Sequence, residues 1–121
     1  MKLTLSSEEL AVLFTHISLM KKSIKKGFKK TYKGDWEEKY TDYLSVIKVL
    51  EDLMKNEEIE QDFYDISLAA EKFTMLHSFI NFYVNELNKK ENNKDKLKHE
   101  TIKLMAILES IQMKTNKLAA S

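Results

Sequence analysis

Apolar residues recur along most of the chain at steps of three and four, the spacing of one face of an α-helix. Near the start, Ser6 and Glu9 form the S-x-x-E pattern of an N-terminal capping box. Leu5 and Leu10 occupy the positions of a hydrophobic staple around it. We therefore predict that a first helix begins at Ser6. Its apolar stripe comprises Leu10, Leu13, Phe14, Ile17, Met20, Ile24 and Phe28.

A second helix is predicted from Asp35 to about Lys55, after a turn at Lys33 and Gly34. Its stripe comprises Trp36, Tyr40, Tyr43, Ile47, Leu50 and Met54. A third helix is predicted over residues 57–90, with the stripe Ile59, Phe63, Ile66, Ala70, Phe73, His77, Ile80, Val84 and Leu87. At 1.5 Å per residue it would be roughly 50 Å long, which is long for this chain. A break between Asp65 and Ser67, giving five helices, is therefore the alternative.

The polar, asparagine-rich residues 88–93 are predicted to form the last loop, and a fourth helix to follow as far as about Leu118. Its stripe comprises Leu97, Thr101, Leu104, Leu108, Ile111, Thr115 and Leu118. The chain has no proline and only two glycines, whereas a sheet protein needs frequent turn residues. Short loops make sequential helices antiparallel neighbours. We predict an all-α fold without a sheet: one antiparallel bundle of about four helices, in a single domain spanning residues 1–121.

The predicted third helix carries a second apolar stripe, roughly opposite Phe73 and Ile80 at about 100° per residue. The stripe comprises Tyr64, Leu68, Met75, Phe79 and Phe82. A bundle helix with one buried face should be polar on this side. Either this helix is central and covered on both sides by its own chain, or the stripe binds another protein. On the second interpretation, these residues form an interface in a homo-oligomer or a hetero-complex.

Charge is segregated along the chain although the formal net charge is only +1. Residues 21–33 hold seven lysines and no acid: Lys21, Lys22, Lys25, Lys26, Lys29, Lys30 and Lys33. Residues 35–71 hold twelve acids and three lysines, which favours pairing of the two segments. Phosphate neutralisation by the basic segment makes nucleic-acid binding the alternative function. The absence of arginine, which makes bidentate phosphate and guanine contacts, argues against it.

Few catalytic or cofactor-binding patterns are compatible with this sequence. The absence of cysteine excludes disulfides, cysteine-based zinc sites and a thiol nucleophile. Neither an E-x-x-H pair, nor H-E-x-x-H, nor a glycine-rich phosphate loop occurs. His77 is interpreted as a core histidine that hydrogen-bonds Tyr40, Tyr43 or a backbone carbonyl. We therefore expect no enzyme site, no metal and no cofactor.

The remaining expectations concern the cellular setting. No run of about 18 uncharged apolar residues is present, so we expect no membrane-spanning helix and no membrane partner. The lack of cysteine fits a reducing compartment, here the cytoplasm, and the use of lysine for all basic residues is typical of AT-rich bacterial or phage genomes. The sequence thus predicts a small non-enzymatic regulatory or adaptor protein that acts by protein–protein binding through helical surfaces.

Overall fold

Helices dominate the fold, which a computed structural model describes for residues 1–55, 62–91 and 99–120. In chain order the elements are β1 (Lys2–Ser6), α1 (Ser7–Leu19), α2 (Lys21–Tyr32), a 3-10 helix (Lys33–Asp35), α3 (Trp36–Lys55), β2 (Phe63–Ser67), α4 (Ala70–Glu91) and α5 (His99–Ala120). The described part of the chain is 85% helical, which confirms the predicted all-α class.

The start of the first helix was predicted correctly. The Ser6 side chain accepts a hydrogen bond from the Glu9 backbone N–H (3.1 Å), and the Ser6 N–H donates to the Glu9 carboxylate (2.9 Å). Both halves of the capping box are therefore present, with Ser6 as the N-cap of α1. Leu5 and Leu10, the staple positions, are both buried in the core.

The expectation of no sheet is wrong, because β1 and β2 pair in an antiparallel two-stranded sheet. Leu3 lies opposite Ile66, and Leu5 lies opposite Tyr64. Leu3, Leu5 and Ile66 point into the core, while the residues between them are exposed. Each strand is only five residues long, and so short an apolar run fits helical and alternating patterns equally well. Pairing across some sixty residues of chain therefore decides the conformation.

Several predicted helix boundaries also change. The predicted third helix does break near residues 65–67, but the break is strand β2, and α4 begins only at Ala70. Residues 57–61 of that predicted helix lie outside the described part of the chain. In the predicted last loop, residues 88–91 belong to α4, and residues 92–93 again lie outside the described part.

The predicted first helix is interrupted at Met20, so its stripe does not continue on one straight helix to Phe28. Ile17 lies in the last turn of α1, where backbone carbonyls lack an intrahelical partner. The hydroxyl of Tyr43, from α3, donates a hydrogen bond to the Ile17 carbonyl oxygen. A buried side chain from another helix thus satisfies the backbone where α1 ends.

Four helices surround the core in a ring. In this ring α1 contacts α3, α3 contacts α4, α4 contacts α5 and α5 contacts α1. Helix α2 stands outside this ring and packs chiefly on α3. It contributes no buried residue, whereas α1 and α3 each contribute four. One side of α2 therefore faces α4 across a space that no other described element fills.

Candidate binding groove

The space between α2 and α4 is an open groove of about 800 Å³, with α3 between its two walls. A volume of this size falls within the range of about 300–1,000 Å³ found for small-molecule and cofactor sites. It is larger than a second, shallower pocket of about 440 Å³, which lies beside Ser6, Glu9 and Ser110. We refer to it as the α2–α4 groove.

The α2 wall is made by one face of that helix. Together with the preceding Met20, its members recur at alternating steps of three and one: Met20, Ser23, Ile24, Gly27, Phe28, Thr31 and Tyr32. Large apolar side chains alternate with small ones along this face. A Cβ atom added at Gly27 would meet no atom within 4 Å, so the wall has free space at its middle.

The α4 wall has the same mixed character. It comprises Ala70, Glu71, Thr74, Met75, Ser78, Phe79 and Phe82. Phe79 is buried, Met75 is half-buried, and 49% of Phe82 is exposed to solvent. An exposed phenylalanine beside an open apolar groove leaves hydrophobic surface that a binding partner could cover.

Tyr43 connects the groove to the core. Its ring packs 6.3 Å from Phe28 on one side and 6.0 Å from Phe79 on the other, measured between centroids, and it stacks on Tyr40 at 5.9 Å. Burial, with a smaller contribution from Tyr40, raises the pKa of the Tyr43 hydroxyl far above its usual value. The group therefore stays protonated and keeps its hydrogen bond to Ile17. This aromatic cluster supports both walls of the groove.

The charged residues that line the groove are mainly acidic. They are Glu38 and Asp42 from α3 and Glu71 from α4, together with one lysine, Lys39. The Lys39 ammonium lies 5.5 Å from the centre of the Tyr32 ring, a cation–π contact. None of the three carboxylates forms an ion pair within the described residues. The groove therefore presents unneutralised negative charge.

The predicted basic segment forms α2 and the residue after it, and all seven of its lysines are exposed. Among the described residues, the acidic α3 segment supplies no ion pairs to them, and its aromatic rings contact two of them, Lys25 and Lys29. Lys29 lies 4.8 Å and Lys25 5.8 Å from the centre of the Trp36 ring. None of the seven lysines lines the groove. The basic surface and the groove are thus separate features.

The five residues of the predicted protein-binding stripe do not all lie on one helix. Tyr64 lies on β2, and Leu68 is 5% exposed in the connection before α4, so neither belongs to the helix assumed for them. Met75, Phe79 and Phe82 do share one face of α4, and that face is the groove wall. The contribution of α2 was missed, because spacing along one helix does not show which other helix lies opposite.

The histidines lie away from the groove. His16 contacts the Tyr83 hydroxyl through Nδ1 at 2.5 Å, and burial lowers the pKa of His16. His77 is half-buried and bonds Asn116 (2.7 Å) and Asn81 (3.0 Å) between α4 and α5. The prediction that His77 bonds Tyr40, Tyr43 or a carbonyl is therefore wrong, although it does have a structural hydrogen-bonding role.

No further feature of the described residues assigns a function. No group of three or more ligating side chains in the described residues is placed to hold a metal ion. None of the described helices is long and apolar enough to cross a membrane. Comparison with known protein families, curated proteins and solved structures found no match to the chain.

Proposed function

We propose that this protein is a small, non-enzymatic regulatory or adaptor protein that acts by binding another protein, and that the α2–α4 groove is its binding site. The observation that carries this proposal is the open groove itself, with Met75 and Phe82 partly uncovered on one wall and Phe28 on the other. Helix-lined apolar grooves commonly receive apolar side chains of a partner, because their burial removes hydrophobic surface from water.

The two glycines allow a matched test. A leucine in place of Gly27 would project into the groove, whereas one in place of Gly34 would project into open space outside it. Neither glycine has a positive φ, so neither substitution strains the backbone. Native cell lysate is passed over immobilised unmodified protein, Gly27→Leu and Gly34→Leu. We expect a protein retained by the unmodified chain and Gly34→Leu but lost from Gly27→Leu; identical retention by all three would contradict the proposal.

A homodimer remains one form of the proposed interaction, and the structure changes how it should be tested. Phe79 and Leu68 are each only 5% exposed, so a charge at either position would disrupt the core. Phe82, with 49% of its surface exposed, is the suitable position. If two copies associate through the groove, light scattering should show a dimer that Phe82→Asp converts to a folded monomer.

Nucleic-acid binding is the second candidate, favoured by the exposed lysines of α2 that lack carboxylate partners among the described residues. Four neutralised phosphates on duplex DNA would make log K fall with log salt at a slope of about −3 to −4. Reversal of Lys22, Lys26 and Lys30 to Glu should abolish such binding. Reversal of Lys103 and Lys117, exposed on α5, is the control. No binding at about 50 mM salt would remove this candidate.

The proposed setting is the cytoplasm of a bacterium or of a phage-infected cell. A chain without cysteine is compatible with a reducing compartment. Fractionation of the source cell, with the protein detected by antibody, tests this location.

A further inference from the structure

We infer that the partner segment bound by the α2–α4 groove is a cationic amphipathic helix, an inference that rests on the function proposed above. The groove has the form of a trough: α2 and α4 both pack on α3, and the space lies between them. Helices pack side by side at about 8–10 Å between axes, so a trough bounded by two helices suits a third helix.

Both walls carry small side chains at four-residue intervals. On α2 they are Ser23, Gly27 and Thr31, and on α4 they are Ala70, Thr74 and Ser78. Residues four apart form the rows on a helix surface that interlock with the rows of a neighbouring helix. Small side chains in such rows let a neighbouring backbone approach closely. Two matching rows on opposite walls therefore suit a helix lying between them better than a flat or extended partner.

Large apolar side chains accompany the small ones on each wall. Ile24 and Phe28 come from α2, and Met75, Phe79 and Phe82 come from α4. An amphipathic helix bound here would bury apolar residues at i, i+3 or i+4, and i+7 against them. Met75 has a flexible, unbranched side chain that adapts to the shape of such residues. The partner helix must accordingly have one apolar face.

The charged residues that line the groove determine which residues should lie beside the apolar face of the partner helix. Glu38, Asp42 and Glu71 line the groove without ion-pair partners among the described residues, and the only lysine lining it, Lys39, is held over Tyr32. Lysine or arginine residues beside the apolar face of the partner would meet these carboxylates. Electrostatic complementarity of this kind increases association rates and excludes partners of the wrong charge.

Three lysines of α2 do not reverse this preference, because they project away from the groove. At about 100° per residue, Lys22, Lys26 and Lys29 point away from the face of α2 that lines the groove. A helix with its side chains is about 10–12 Å across. Physiological salt screens exposed charges beyond roughly 8 Å. A helix in the groove therefore lies nearer to the carboxylates that line it than to these three lysines.

The test uses two synthetic peptides of about 18 residues, or five helical turns, that share one leucine face. Their remaining positions alternate alanine with lysine in one peptide and alanine with glutamate in the other. Isothermal titration calorimetry measures binding to the full chain. We expect the lysine peptide to bind at least about tenfold more tightly than the glutamate peptide. The triple variant Glu38→Gln, Asp42→Asn, Glu71→Gln should remove this preference.

The glycine variants locate the site. Gly27→Leu should weaken binding of the lysine peptide by at least about tenfold, and Gly34→Leu should leave it unchanged. Equal or tighter binding of the glutamate peptide would overturn the inferred charge of the partner. Undiminished binding to Gly27→Leu would place the peptide outside the groove and overturn the inference as well. A dimer of the unmodified protein that Gly27→Leu dissociates would assign the groove to a second copy instead.

Failure of this inference is distinguishable from failure of the proposed function. If neither peptide binds but Gly27→Leu still loses a partner from lysate, the groove binds a protein of another kind, and only the inferred helix is refuted. If Gly27→Leu retains every lysate protein that the unmodified chain retains, the proposed use of the groove is refuted, whatever the peptides do.

Discussion

Glu9 links the beginning of α1 to α5 across about a hundred residues of sequence, and its replacement should show how much this link stabilises the fold. Its carboxylate accepts hydrogen bonds from the Ser6 backbone N–H (2.9 Å), the Ser110 hydroxyl (2.8 Å) and the Lys114 ammonium (2.6 Å). Only 7% of the residue is exposed. The same side chain thus completes the capping box and anchors another helix.

The expected cost follows from these three contacts. A hydrogen bond to a charged group contributes roughly 1.5–3 kcal/mol, less when water can replace the lost partner. Lys114 retains 38% side-chain exposure, so its ammonium regains much of its hydration when Glu9 is removed. We therefore expect Glu9→Ala to reduce the free energy of unfolding by about 2–4 kcal/mol. Glu9→Gln, which keeps the shape and one acceptor oxygen, should cost about half as much.

The dependence on pH separates the charge of Glu9 from its packing. Burial by itself raises the pKa of this carboxyl, but the hydrogen bonds from Lys114, Ser6 and Ser110 outweigh burial and lower it from the ordinary value of 4.5. Because the pKa is lower in the folded state than in the unfolded state, the stabilisation from ionised Glu9 is fully present above the ordinary value of 4.5. It is lost as the pH falls from there through the folded-state pKa. The stability difference between the unmodified protein and Glu9→Gln should therefore shrink in acid.

Urea denaturation followed by circular dichroism at neutral pH and at several acidic values measures both effects. Lys114→Met is the matched control, because it removes the cation and leaves the capping box intact. If Glu9→Ala unfolds at the same urea concentration as the unmodified protein, the link between α1 and α5 contributes nothing. If the difference for Glu9→Gln stays constant in acid, the ionised form of Glu9 does not account for it.

Three further substitutions test other parts of the structure. Tyr43→Phe should lower the free energy of unfolding by about 1–3 kcal/mol in urea denaturation, because the carbonyl of Ile17 loses its buried donor; an unchanged midpoint would show that water replaces the hydroxyl. Gly27→Ala should raise stability by about 0.5–1 kcal/mol in the same assay, since the added methyl group meets open space and alanine favours helix; a loss would indicate a hidden steric conflict. Burial lowers the pKa of His16 in the folded state, so the contribution of neutral His16 to stability is fully present above the ordinary pKa of 6.5. That contribution declines as the pH falls below 6.5. His16→Asn, which retains a polar contact to Tyr83, should flatten this decline in thermal melts between neutral and mildly acidic pH, and an unaltered pH profile would assign the decline to other groups.

The helical content and the capping box at Ser6 could be predicted because both depend on neighbouring residues. A helix forms its backbone hydrogen bonds within one segment, and its buried face recurs every three or four positions. Glu9 lies three residues after Ser6, so the reciprocal hydrogen bonds need no distant element. For the same reason the spacing of Met75, Phe79 and Phe82 predicts that they share one face of α4, and all three line the groove.

Contacts between distant segments decided the features that were predicted wrongly or missed. Strand β2 exists because Tyr64 and Ile66 pair with Leu5 and Leu3, and neither strand is long enough to show its period unambiguously.

The end of α1 at Leu19 likewise involves a long-range contact, the hydrogen bond between Tyr43 and Ile17.

The groove was the hardest feature to foresee, because each of its walls looks like an ordinary amphipathic helix in sequence. Periodicity determined which side chains share a face on α2 and on α4. Only the packing of both helices on α3 determined that these two faces are opposed across open space, with Glu38, Asp42 and Glu71 beside them. Local hydrogen bonding determines helices one segment at a time, whereas a binding surface made by three helices depends on how the whole core is packed.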